Sequence, residues 1–385
     1  MESTSWGRAL VWSLIAAAFI GPGTVATATR AGAEGGYAYL PVVVLAALAG
    51  YVFMEMAARI TLVSGRRLGD LLSVRGKWLP TLLFAAVFFG CMAYQAGNLV
   101  GALGGLQLLF PLGRWGVLLI GGFVFALLWK GSTQLIGRMM AYIVAVMGVL
   151  FIVAAAQIAW PGVYPDRPLA PVRTDVLLGL LGTTIVPYNF FLAAGLGSDG
   201  RLGDMRRGLM LSFGVGLLVT ASIVVVGVTA SGFVSFENLA VSLEAFLGEY
   251  GRLVLGMGLF AAGFSSATTA PLAAAMAGRE LLASGDKSWR SAGSAFRATW
   301  FVVMLIGLLV AVLRLDIIGV ILAAQVINGL LLPFIAAAVF YLANRRDLLG
   351  DRTNRWWQNL IGLAVLGLLF YKTGEFLFNL FLTLR

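Results

Sequence analysis

Two short patterns carry the chemistry open to this chain. Gly21-Pro22-Gly23-Thr24 and Thr183-Thr184-Ile185-Val186-Pro187-Tyr188-Asn189 each set a proline among small or hydroxylated residues inside an apolar stretch. Proline lacks the N–H that an interior helical turn needs, and its ring clashes with the turn before it, so each pattern predicts a broken helix. A break frees backbone N–H and C=O groups, which at membrane depth are tolerated only where protein or a wet cavity satisfies them. Those groups are joined by the hydroxyls of Thr24, Thr27, Thr183, Thr184 and Tyr188 and the amides of Gln95, Asn98, Asn189 and Gln325. Together they can hydrogen-bond a small polar solute, or a cation that keeps its inner water shell. One such pattern is equally explained as a packing kink, and each Thr, Asn or Gln taken singly as glue between helices; a matching pair points to a binding site.

The residues that are missing exclude other chemistry. The chain has no histidine, and its single cysteine, Cys91, lies in an apolar run. No nucleophile, base and orienting group can be assembled, so no enzyme is expected. Proton relay through imidazole and imidazole ligation of a transition metal are removed as well. No Gly-rich phosphate loop with its lysine is present, and the sequence predicts no cofactor.

The elements that must position the two patterns are membrane helices. Of 385 residues, 60% are hydrophobic and 11% charged, and the mean hydropathy is +0.93, so the lipid bilayer is the expected surrounding. Apolar runs of about 20 residues favour helices over a barrel. About eleven spans are predicted, near residues 9–32 (broken), 36–63, 79–109, 115–131, 138–160, 175–196 (broken), 208–231, 252–280, 299–314, 317–343 and 356–382. With the amino terminus placed in the cytoplasm, the 27 Lys and Arg residues divide 19 inside to 8 outside. The positive-inside rule therefore supports an inner-membrane protein with its carboxyl terminus outside. The net charge of +10 is then a topology signal and calls for no nucleic-acid partner. Between residues 232 and 251, Phe233, Phe236, Leu239, Leu243 and Phe246 recur at helical spacing beside Glu237, Glu244 and Glu249. This predicts an amphipathic helix on the outer face, its acids either solvated or a lure for cations.

The broken spans are the first and the sixth. Five spans separate their starts, and an odd number inverts the second unit relative to the first, which predicts an inverted repeat of five plus five helices. The fold class expected is an all-α integral membrane protein of about 11 helices in the LeuT-like arrangement. It forms one transmembrane transporter domain over 1–385, with repeat one at about 9–160, repeat two at about 175–343 and an extra helix at about 356–382.

The same residues resemble the Nramp family of proton-coupled divalent-metal transporters over most of the chain. The family's Asp-Pro-Gly-Asn pattern lines up with Gly21-Pro22-Gly23-Thr24, and its Gln-Ala-Gly-Ala and Gly-Tyr with Arg30-Ala31-Gly32-Ala33 and Gly36-Tyr37. Ala57-Ala58-Arg59 with Val63-Ser64-Gly65-Arg66 is similar to the second-helix end, and Phe264-Ser265-Ser266 to part of the eighth helix. Met-Pro-His-Asn lines up with Val186-Pro187-Tyr188-Asn189, and Gln325-Val326 with Leu332-Pro333-Phe334 is similar to the tenth helix.

The departures from the family pattern fall on its ligands. The resemblance implies metal held by a first-helix Asp and Asn and a sixth-helix Met, whose places are taken here by Gly21, Thr24 and Val186. An ion stripped of water would face a large desolvation cost in a cavity with no compensating anion. Classical Mn²⁺ or Fe²⁺ transport is therefore not expected. The family's third-helix acidic positions fall at Gln95 and Asn98 and its histidine at Tyr188, so its usual proton route is absent too.

The reading is a secondary-active transporter with a neutral site for a hydrated Mg²⁺-like cation or a small polar organic solute. The alternative is a membrane scaffold or sensor that kept the fold. The substrate-binding candidates are Gly21, Gly23, Thr24, Thr27, Thr184, Val186, Tyr188, Asn189 and Gln325. Gln95, Asn98 and Glu55 are candidates for coupling or for the cavity wall. Glu55, an acid inside the second span, reads either as a functional cation or proton group or as the ion-pair partner of Arg59 four residues on.

Overall fold

The computed structural model describes residues 11–73, 76–130, 132–160, 172–197, 201–230, 235–283, 285–313 and 317–383, the side chains of 317–329 and 379–383 apart. The regular elements among the described residues are all helices, without a strand. In chain order the spans are α1a (Ser13–Phe19) with α1b (Pro22–Gly35), α2 (Leu40–Ser64), α3 (Trp78–Gln107), α4 (Gly116–Lys130) and α5 (Thr133–Ala159). They continue as α6a (Thr174–Thr184) with α6b (Pro187–Gly197), α7 (Leu202–Gly227), α8 (Glu249–Leu282), α9 (Ser294–Val312), α10 (Ile317–Ala343) and α11 (Trp356–Thr383). Every predicted span finds its helix. Among the described residues, eight helical stretches are long and apolar enough to cross a membrane, and α1b and α2 count as one of them because only a 3₁₀ turn, Gly36–Tyr39, joins them. Gly116–Lys130 and Leu330–Ala343 are shorter apolar helices.

Both breaks fall where the prolines put them, and they share one backbone. α1a ends at Ile20 (φ −85°, ψ 75°) and α6a at Ile185 (φ −101°, ψ 75°). Two residues later Pro22 and Pro187 open the second halves. Proline suits a first helical position, where its missing N–H would have had no partner. An Ile-X-Pro triplet thus marks the same place in each half of the fold.

α8 is buried along most of its length and packs on α3, and α1b packs on α7. A Cβ on Gly263 of α8 would stand 2.4 Å from the backbone N of Ala102 on α3, and one on Gly32 of α1b 1.9 Å from Val224 O on α7. Only glycine lets these backbones approach so closely. Large exposed apolar residues such as Leu119, Tyr142 and Phe378 clothe the periphery, as a lipid-facing surface requires. The predicted amphipathic helix is present as Phe236–Leu247, with Leu239 and Leu243 buried. Its acids are not free to attract cations as a pair: Arg252 of α8 holds Glu237 at 2.7 Å and Glu244 at 2.6 Å.

Candidate functional site

The α1 break leaves the carbonyls of Ala17, Ala18 and Phe19 without an α-helical partner, since the last such bond runs from Ile20 N to Ala16 O; Phe19 O takes a tight-turn bond from Gly21 N at 3.0 Å. The sequence alone leaves these acceptors open to a ligand; the structure fills them. Ser266 Oγ of α8 donates to Ala17 O at 3.0 Å, Tyr188 OH of α6b to Ala18 O at 2.8 Å, and Thr24 Oγ1 of α1b to Phe19 O. Three hydroxyls from three elements therefore cap three consecutive carbonyls, and the cost of burying unpaired acceptors is removed.

Gly21 sits in extended backbone (φ −109°, ψ −177°) that any residue can adopt. It is glycine for want of room: a Cβ there would lie 2.8 Å from Ser266 Oγ and 3.6 Å from Asn98 Oδ1. The α6 break is treated differently. Thr184 and Thr183 turn their hydroxyls back onto Leu180 O of their own helix, at 2.8 and 3.2 Å.

Between the breaks lies a cavity of about 10 Å³, the least that admits one water. Gly21, Gly23, Thr24, Asn98, Thr183, Val186 and Tyr188 line it as the sequence predicts, joined by Tyr94 and Ser266, and every lining residue is uncharged. Two lining groups are buried without a partner among the described residues, Tyr94 OH and Asn98 Nδ2. The Tyr94 ring meets Tyr188 edge-on at 5.8 Å. Sequence reasoning missed Tyr94, although it stands four residues before Asn98 and so shares its face of α3.

The other candidates are not brought to this cavity. Thr27 packs its methyl against Gly179 of α6a, and Thr184 is spent on Leu180. Asn189 is fully buried, with both amide atoms unpartnered, outside the lining. Gln95 donates to Ala267 O at 3.0 Å and to Met304 Sδ at 3.1 Å, joining α3 to α8 and α9. Gln325 lies outside the described side chains.

Glu55 belongs to a separate cluster. Its carboxylate meets Arg59 Nε at 3.1 Å, Arg206 Nη2 of α7 at 2.8 Å and Gln358 Nε2 of α11 at 3.1 Å. Arg59 in turn reaches Arg352 O and Asn354 Oδ1. The ion-pair reading of Glu55 therefore fits its surroundings, enlarged by two long-range partners.

The α1b and α6a ends are tied together by a second ionic group. Arg30 meets Glu34 at 2.7 Å and Asp175 at 3.3 Å; Arg173 meets Asp175 at 2.9 Å and gives its backbone N–H to Tyr39 OH at 2.8 Å. Arg30 is thus neutralised by two carboxylates, one more than its sequence neighbour supplies.

A family model described as natural resistance-associated macrophage protein-like matches residues 13–379. The divalent metal cation transporter MntH of Deinococcus radiodurans is 25% identical over 97% of this chain and 89% of its own length. The Eremococcus coleocola manganese transporter, in complex with an aromatic bis-isothiourea substituted compound, superposes with a TM-score of 0.79 at 20% identity over 96% of this chain and 86% of that one. MhsT in complex with L-phenylalanine gives a TM-score of 0.60 at 14% identity over 97% and 98%. These likenesses, spread over nearly the whole chain, carry the LeuT-like fold.

Proposed function

Since the chain belongs to the natural resistance-associated macrophage protein-like (Nramp) family, we propose that it is an alternating-access secondary transporter with a neutral substrate site between its two helix breaks. The substrate proposed is a divalent cation of the Mg²⁺ kind, taken with its inner water shell. Relatives named as divalent metal cation transporters support the cation, and the uncharged lining supports the retained shell. Mg²⁺ gives up water reluctantly and is served by hydrogen bonds to its waters, whereas bare Mn²⁺ wants direct anionic or soft ligands.

One observation carries the reading. Tyr94 OH and Asn98 Nδ2 stand buried and unpartnered at the cavity, while the three neighbouring carbonyls are all capped. A buried polar group without a partner costs stability, and two of them converging on one cavity suit a ligand that completes them: the Tyr94 hydroxyl accepts from a metal-bound water, and the Asn98 amide does so through its oxygen once its two ends are exchanged. The cavity is too small for a hydrated ion, so the half-helices must part to admit one; in the geometry described the path is shut. The Arg30, Glu34, Arg173 and Asp175 group closes one end of α1b and α6a. We place that end outside, with the amino terminus cytoplasmic and repeats at about 9–160 and 175–343. Uptake into proteoliposomes tests the substrate: saturable Mg²⁺ entry is expected. Entry of a small polar organic solute with no response to Mg²⁺ would assign the site to the solute instead.

The scaffold or sensor reading draws on the same caps, because a break whose carbonyls are satisfied from within persists without a ligand. Thr24→Trp separates the two: a transporter loses its cellular phenotype, and a scaffold keeps it.

A further inference from the structure

A cavity of about 470 Å³, within the usual range for small-ligand sites, opens where α2 and α8 end. Its wall carries Arg66 and Arg67 just past α2, Arg279 near the end of α8, and Arg290 in the link to α9, with Glu280 and Asp286 beside them. Four guanidinium groups against two carboxylates leave the cavity net positive.

The carboxylates do not use up the arginines. Asp286 accepts from Ser288 N at 2.8 Å and Ser288 Oγ at 2.6 Å, bonds that hold its carboxyl below the usual carboxylate range. Glu280 is 3% exposed; it accepts from the Leu68 backbone N–H, and the nearest guanidinium is that of Arg279, at 3.9 Å. Arg66, Arg67 and Arg290 form no ion pair among the described residues. The contrast with the Glu55 cluster is direct, since there Arg59 and Arg206 both close on one buried carboxylate. Trp289 completes the wall, its ring edge-on to Phe84 of α3 at 5.8 Å.

We infer that this cavity is a binding site for a phosphate group, held by the guanidinium groups of Arg66, Arg67, Arg279 and Arg290. Guanidinium is planar, permanently charged and weakly hydrated, and its paired N–H donors match phosphate oxygens two at a time. Several such groups converging without counter-ions suit a multiply charged oxyanion better than a single carboxylate. The site lies at the ends of membrane helices, where basic pockets meet lipid headgroups. Its phosphate can come from an anionic phospholipid or from free inorganic phosphate.

Thermal unfolding of the purified full chain in neutral detergent tests this, with inorganic phosphate in one arm and phosphatidylglycerol, against phosphatidylcholine, in the other. A rise in Tm of about 2–4 °C at saturation is expected in at least one arm, abolished in Arg66→Gln/Arg290→Gln. Both side chains are exposed and unpaired, so that variant keeps the basal Tm. A rise with phosphatidylglycerol alone assigns the headgroup as the source, and a rise with phosphate assigns the free anion. No rise in either arm, or a rise that persists in the double variant, overturns the assignment.

Discussion

Two polar clusters lie deep in this molecule, and they solve burial in opposite ways. At the α1 break every described polar group is uncharged, and three hydroxyls satisfy three carbonyls. At Glu55 an acid 1% exposed is held between Arg59, Arg206 and Gln358. A charge out of water must be fully compensated, so the Glu55 cluster is fixed by its partners and joins α2, α7 and α11. A neutral break needs only hydrogen bonds, so it can leave Tyr94 and Asn98 unfilled at modest cost. On the function proposed above, the charged cluster belongs to stability and the neutral one to the substrate.

The largest effect expected is on the charged side. Glu55→Gln leaves the buried Arg59 guanidinium without its anion and should lower stability by about 3–5 kcal/mol, read by denaturation in detergent. Substrate preference in the surviving protein should not change. Full stability with altered preference would reverse the two roles.

Next comes charge imposed on the neutral side. Gly21→Asp alone should destabilise, since its Cβ meets Ser266 Oγ at 2.8 Å and its carboxylate is buried. Combined with Thr24→Asn, Val186→Met and Ser266→Ala it rebuilds the ligand set that the family resemblance implies, and Mn²⁺ binding should appear by calorimetry, with none expected of the parent. Mn²⁺ binding by the parent of equal strength would show that the neutral lining does not set preference.

Tyr188→Phe uncaps Ala18 O and should cost about 1–2 kcal/mol. Thr184→Val loses only a bond to Leu180 O in its own helix and should cost less than about 1 kcal/mol. Comparing their unfolding midpoints measures the difference between the breaks, and equal losses would remove it.

What was legible in the sequence follows from how local each cause is. Pro22 and Pro187 act on their own turns, so both breaks could be placed to within a residue. Span length is set by bilayer thickness, so all eleven helices were readable as apolar runs. The Glu55 ambiguity was not soluble locally, because Arg206 and Gln358 lie 151 and 303 residues away. The caps were hidden for the same reason: Ser266 and Ala17 are 249 residues apart. Carbonyls that read as free ligands were spoken for by helices the sequence does not place beside them. Tyr94 is within reach of the sequence, one helical turn before Asn98, whereas its neighbour Gln95 turns to Met304.

The most direct test of the central claim is Asn98→Ala, assayed for both Mg²⁺ uptake in proteoliposomes and thermal unfolding. Asn98 Nδ2 has no partner to lose, so the account predicts an unchanged or slightly higher Tm together with at least a tenfold loss of uptake, about 1.4 kcal/mol of binding. Uptake that survives at the parent rate, or a fall in stability that accounts for the loss, would contradict it.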